Sequence, residues 1–214
     1  MSYFRELPDF EYQSPFVNST GASDYVTAKN IFRRIKMRDD LKNVFTLFNK
    51  YIIKEGDRPD TVAENEYGKS DLDWVVLLSA GIINVRNEWP LSSKDLYDFV
   101  LEKYGNDINS VHHFETEEVK DSQNRLILPK GKVVDSNFTI PKPGQPGATL
   151  NPVVGISNYE HEVRENVKKS TISILRRSYL QQFLSDMKKE MTYKRSSQFV
   201  SNNLIRTENT KLTN

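Results

Sequence analysis

His112 and His113 stand beside Glu115, Glu117 and Glu118, residue types that can ligate a divalent metal. A closed metal site needs three or four ligands converging on one point. The segment alternates like a strand, and on a strand successive side chains point to opposite faces. Alternation therefore parts His112 from His113, and only one can share a face with a given set of carboxylates. His161 lies far along the chain. These residues predict a polar, solvated strand and no metal site. Carboxylates also occur in pairs, at Asp71/Asp73, Glu64/Glu66 and Glu117/Glu118. A glycosidase needs two of them facing across a cleft, one with a raised pKa. Nothing singles out such a pair, and exposed helix faces account for them all. No glycine-rich phosphate loop or Walker pattern is present. Three histidines, two of them adjacent, offer no Ser-His-Asp arrangement. No catalytic residue, no metal ligand and no cofactor is expected, and no small-molecule substrate.

Composition narrows the partners. The chain has 214 residues, 37% hydrophobic and 28% charged, a low apolar share for a compact domain of this length. A small folded centre with extended arms that order on a partner is the expectation. Thirty basic residues against 29 acidic give a net charge of +1. A general nucleic-acid binder needs a basic surplus to displace counterions, so none is expected. With no cysteine, disulfides and thiolate metal sites are excluded. The first residues lack a basic stretch followed by an apolar run, and no segment approaches the roughly 20 apolar residues that span a membrane. Synthesis and assembly inside a cell, with no membrane contact, are expected.

Punctuation by proline and glycine outlines the elements that must position any site. Tyr3, Phe4, Phe10, Tyr12 and Phe16 lie without regular spacing on a segment broken by Pro8 and Pro15, as on an arm whose rings dock into grooves. Residues 25–36 read as an extended piece carrying the basic cluster Arg33, Arg34, Lys36 and Arg38. Asp39-Asp40 would cap a short helix over 41–48. Residues 48–53 are a strand candidate, followed by helices over 62–67, 72–80 and 95–104, stopped by Gly68, Gly81 and Gly105. Residues 111–143 read as a β-hairpin insertion running into a Pro/Gly-rich loop. Residues 153–163 read as helical at least from Tyr159. Thr171 to Leu175 is β-like, and Ser178 would cap a helix over 180–191. Residues 192–214 read as a disordered or partner-ordered tail. Basic residues Arg176 and Arg177 beside Tyr179 suit contact with an acidic neighbour.

The most specific string is Tyr51-Ile52-Ile53-Lys54-Glu55-Gly56-Asp57. A strand ending in Lys-x-Gly-Asp, a helix containing Val62-Ala63, and then Tyr67-Gly68 resembles the opening of a LysM module. That resemblance implies a strand–helix–helix–strand fold. Gly56 permits the turn, Asp57 is placed to cap the next helix, and Trp74 gives the second helix a buried face. A LysM module commonly binds N-acetylglucosamine polymers. Here the stretch after the second helix carries Ile82, Ile83 and Trp89, which read as protein-facing.

The order Tyr51 to Asp57, Arg58-Pro59, Glu66-Tyr67-Gly68, Leu72 to Leu78 and Trp89-Pro90-Leu91 also resembles the baseplate wedge protein 53 family of T-even-like contractile-tailed phages. So does the distal string from Glu165-Asn166 through Ile172 to Ser178-Tyr179-Leu180. The resemblance implies a structural subunit of the tail baseplate, joining wedge subunits around the central hub. It implies as partners the large scaffold subunits, the small lysozyme-like wedge subunit and neighbouring wedges. The virion tail baseplate, assembled in the host cytoplasm, is the implied location. A glycan-binding LysM module of a cell-wall-associated protein is the alternative. The expected class is α+β: a small LysM-like core, a β-hairpin insertion, a C-terminal helix and extended terminal arms. The expected segments are an arm over 1–47, the module and following helix over 48–105, a β-hairpin and loop region over 106–150, and a helical segment with tail over 151–214. Tyr51, Gly56, Asp57, Tyr67, Gly68 and Trp74 are expected to build the module. Tyr3, Phe4, Phe10, Tyr12, Ile82, Ile83, Trp89, Arg176, Arg177 and Tyr179 are the candidate interface.

Overall fold

Pro59 suits the first turn of a helix, where its missing N–H costs nothing, and Gly68 ends that helix at φ 74°. Gly81 does the same for the next helix at φ 76°, a left-handed conformation that a side chain would strain. Around such stops the computed structural model, which describes residues 2–13, 25–37, 44 and 46–207, assembles an α+β fold. Its elements are α1 (Tyr3–Glu6), β1 (Asp9–Gln13), β2 (Tyr25–Lys29), β3 (Phe48–Ile52), α2 (Pro59–Tyr67), α3 (Asp73–Ala80) and α4 (Val85–Glu88). Next come α5 (Ser93–Tyr104), β4 (Val111–Thr116), β5 (Val119–Lys120), β6 (Leu126–Leu128), β7 (Val133–Val134), β8 (Ile140–Pro141), β9 (Thr149–Leu150) and β10 (Val153–Ser157). The chain continues through α6 (Asn158–Ser170), β11 (Thr171–Leu175), α7 (Arg177–Met191), β12 (Phe199–Ser201) and β13 (Leu204–Arg206).

Two compact units form. One gathers Met1–Ile53, Asp57–Glu88 and Ile172–Asn214, and the other Lys54–Gly56 and Trp89–Thr171. In sequence, the second unit interrupts the first.

The first unit is centred on β3, α2, α3 and β11. Strand β3 pairs with β11, which lies more than a hundred residues downstream. The Arg176 N–H donates to the Leu47 carbonyl at 2.9 Å, so the end of β11 meets the start of β3, as antiparallel pairing requires. Val62, Ala63, Val75 and Val76 have no exposed surface. Helix α7 buries Leu180, Leu184, Met187 and Met191, spaced so that one stripe faces inward. Between α3 and α5, where a continuous module would place its last strand, the chain forms α4 and no strand. Nor does Asp57 cap α2: the N-cap is Arg58, without a side-chain cap bond.

The chain ends form a sheet of order β12-β13-β1-β2. β1 pairs parallel with β13, Asp9 against Leu204 and Glu11 against Arg206. It pairs antiparallel with β2 on its other side. Within the described residues, the extended arms and the disordered or partner-ordered tail expected from the sequence are therefore corrected. Residues 9–11 pair with 204–206, a long-range pairing that local pattern cannot reveal. Arg33 donates to the Glu190 and Thr192 carbonyls at 2.7 and 3.1 Å, neutralising the C-terminal end of α7, and lies over the Tyr193 ring. Phe16, Arg38 and the Asp39-Asp40 cap fall outside the described residues, as does half of the expected helix 41–48. Its last residue, Phe48, opens β3.

The second unit packs α5 and α6 with the sheet β10-β4-β7. Ser92 caps α5, accepting from the Asp95 N–H, and Ser157 caps α6, accepting from Glu160. Residues 153–157 are strand, not helix. They pair with β4, and the helix waits for the Ser157 cap. The loop expected across 141–147 is closed by the short pair β8–β9, Pro141 opposite Thr149. Helix α7 starts at Arg177, one residue ahead of the expected Ser178 cap.

Candidate functional site

In the first unit, Tyr67 is buried on α2 and its hydroxyl donates to the Leu175 carbonyl at 2.8 Å. One side chain thereby ties α2 to the distant strand β11. Burial, and then the Glu66 charge, push the Tyr67 phenol well above its ordinary range. Trp74 lies between Tyr3, 5.5 Å away between ring centroids, and Phe183, at 5.9 Å. Tyr51 is half-buried on β3, and burial raises its phenol too, followed by the Asp57 charge. Gly68 is the left-handed cap of α2, and Gly56 turns at φ 84° between β3 and α2.

The interface candidates separate into two groups. Tyr3 packs on Trp74, half-buried Phe10 lies beside the exposed Tyr12 on β1 with centroids 5.7 Å apart, and Trp89 is buried. Arg176 is exposed, and its Nε donates to the Phe48 carbonyl. Phe4 and Ile83 are 64% and 71% exposed, and Tyr179 and Arg177 also face outward. Phe32, 87% exposed on the segment after β2, belongs with this second group but was not among the candidates.

The second unit brings together side chains that the sequence kept apart. Ring nitrogens of His112, His113 and His161 all lie within 4.8 Å of one another. The expected separation of His112 from His113 fails because β4 is bulged. Ile156 opposes His113, but the next residue on β10, Ser157, opposes Val111. His112 is the extra residue, and a bulge breaks the period of two and re-aims a side chain. Its Nδ1 sits 2.8 Å from the His113 Nδ1. His161 comes from the first turn of α6, where its ring stacks on His112 at 3.9 Å and 8°. That turn is anchored beside the start of β4. The backbone N–H groups of Asn158 and Tyr159 donate to the carbonyls of Ser110 and Ile108, and the Asn158 amide to that of Asp107.

Charged groups ring the three imidazoles. His113 Nε2 lies 3.0 Å from Glu115 Oε1, and Arg164 binds Glu115 Oε2 at 2.7 Å and also Glu160. The bonds from His113 and then Arg164 hold the Glu115 carboxyl below the usual range. Glu162 is buried, which works against its charge, but Lys103 at 2.6 Å and Tyr104 at 2.9 Å outweigh this and lower it. Burial, then the neighbouring His161 and His113, shift His112 below the ordinary histidine value. Glu117 and Glu118, also considered beside the histidines, are exposed, and Glu118 pairs with Lys120. Arg164 and Glu162 had no place in the sequence reading, and Glu115 entered it only as a possible metal ligand. The one usable signal was that all three histidines of the chain fall between residues 112 and 161.

Among the described residues, no helix is long and apolar enough to cross a membrane. A family model for base plate wedge protein 53 matches residues 3–190, nearly nine-tenths of the chain. No curated protein matches it.

Proposed function

Because the chain belongs to the base plate wedge protein 53 family, we propose that it joins wedge subunits around the hub of a contractile phage tail during baseplate assembly. The match over residues 3–190 carries this reading, since the family is one of structural baseplate proteins. Its partners are the large scaffold subunits of the wedge, the small lysozyme-like wedge subunit and neighbouring wedges. Assembly takes place in the host cytoplasm. The strand–helix–helix–strand order of β3, α2, α3 and β11 supports a LysM-like frame, split by the inserted second unit. Within the first unit, Phe4, Phe32 and Ile83 support a protein-binding rather than glycan-binding use of that frame. Large apolar side chains this exposed are suited to cover by another protein.

The test is genetic and structural. A phage lacking this gene should yield incomplete baseplates and unsheathed or absent tails by negative-stain electron microscopy. Intact contractile tails without the protein would overturn the proposal. Phe32→Asp and Ile83→Asp, each on an outward side chain, should leave circular dichroism unchanged and abolish co-purification with wedge subunits.

A further inference from the structure

We propose that His112, His113 and His161 form a binding site for a divalent first-row transition metal of the zinc type. The chain contains only three histidines and no cysteine, and one ring nitrogen of each lies within 4.8 Å of the others in the second unit. Two come from a bulged strand and one from the first turn of α6, whose start is bonded to the residues leading into β4. Rigid elements therefore carry all three ligands.

The surroundings have the form of a metal site's outer shell. A carboxylate only accepts hydrogen bonds, so Glu115 Oε1 fixes the proton of His113 on Nε2. This leaves the Nδ1 lone pair directed at the cluster. Glu115 is itself held by Arg164 through its other oxygen. A carboxylate that orients a histidine in this way is the usual partner of a ligating imidazole. Zinc–nitrogen bonds of about 2.0–2.1 Å at tetrahedral angles set ligand nitrogens about 3.3 Å apart. The separations here, from 2.8 Å to no more than 4.8 Å, bracket that value. Binding requires the close His112–His113 pair to open by about half an ångström and the stacked His161 ring to turn about its Cβ–Cγ bond, a soft torsion. His112 faces solvent, so the fourth position is open to water.

The site would pin α6 to β4 across the polar network around Glu115 and Glu162. This inference does not depend on the baseplate reading, because it concerns metal uptake by the isolated chain.

The test uses the untagged full-length protein, stripped with chelator and titrated with zinc chloride by isothermal calorimetry. One equivalent should bind, with a rise in the thermal midpoint. All three histidine ring signals should shift in proton–nitrogen spectra as the His112–His161 stack opens. His161→Gln and the exposed His112→Asn should each weaken binding by more than about a hundredfold. Glu115→Gln, which keeps a hydrogen bond but loses the charge, should weaken it by about ten- to a hundredfold. Absence of binding by the folded wild-type chain would overturn the proposal. So would one equivalent retained by the double variant His112→Asn/His161→Gln, which would assign the ion to carboxylates.

Discussion

Replacing Tyr67 with phenylalanine removes a single oxygen atom and tests how firmly α2 is tied to β11. Tyr67 and Leu175 are each 4% exposed, and the bond between them is 2.8 Å long. Water cannot replace the lost donor, so the change should cost about 1–3 kcal/mol. For a chain of this length each kilocalorie lowers the melting midpoint by about 2–4 °C, so a central cost of about 2 kcal/mol predicts a fall of about 4–8 °C. The effect also has a sign in pH. Burial holds the folded phenol above its ordinary value of 10.0, so the native state keeps a proton that the unfolded chain releases. The stability this contributes is fully present below pH 10 and falls as pH rises beyond it. Tyr67→Phe should therefore be less stable at neutral pH and lose less on going from pH 9 to 11. Differential scanning fluorimetry across that range measures both. Hydrogen exchange should locate the loss in β3 and β11. An unchanged midpoint with an unchanged alkaline slope would refute the link between α2 and β11.

Three further outcomes are expected. A chain ending at Thr192 loses β12 and β13, and with them the Asn203 carbonyl that accepts from the Asp9 N–H. The β1 amides should then exchange at least about tenfold faster, a loss of about 1.4 kcal/mol of protection. Gly68→Ala meets no atom within 4 Å of the added carbon, so its cost is the left-handed backbone alone, roughly 1–2 kcal/mol by chemical denaturation. Glu162 has its folded pKa lowered, so it contributes stability above its ordinary value of 4.5 that is lost as pH falls through the folded value. Glu162→Gln should be less stable at pH 7 and show a shallower acid slope, read from urea unfolding between pH 3 and 7.

Helix boundaries were legible because their causes are local. Pro59, Gly68, Gly81, Ser92 and Gly105 act on the turn they occupy, and each helix they frame formed within three residues of its expected place. The β-like character of residues 171–175 was equally plain, since Ile172, Ile174 and Leu175 carry the preference for burial in their own side chains. The partner of that strand was not legible. Pairing with β3 depends on a return across the whole second unit, and nothing in residues 171–175 encodes the distance.

The same division runs through the histidines. Composition and spacing alone established that this chain has no thiol chemistry, no phosphate loop and no nucleic-acid charge surplus, because those properties need only residue types or short strings. Folding decided the rest. A bulge at His112 cancelled strict alternation, and the cap at Ser157 began α6 where His161 could reach the strand. The paired chain ends follow the same rule, with β1 held by β13 across nearly two hundred residues. Local chemistry acts within one turn or one pleat and is written in sequence. Bulges, strand partners and converging side chains arise from backbone geometry over long separations, and the order of residues does not state it.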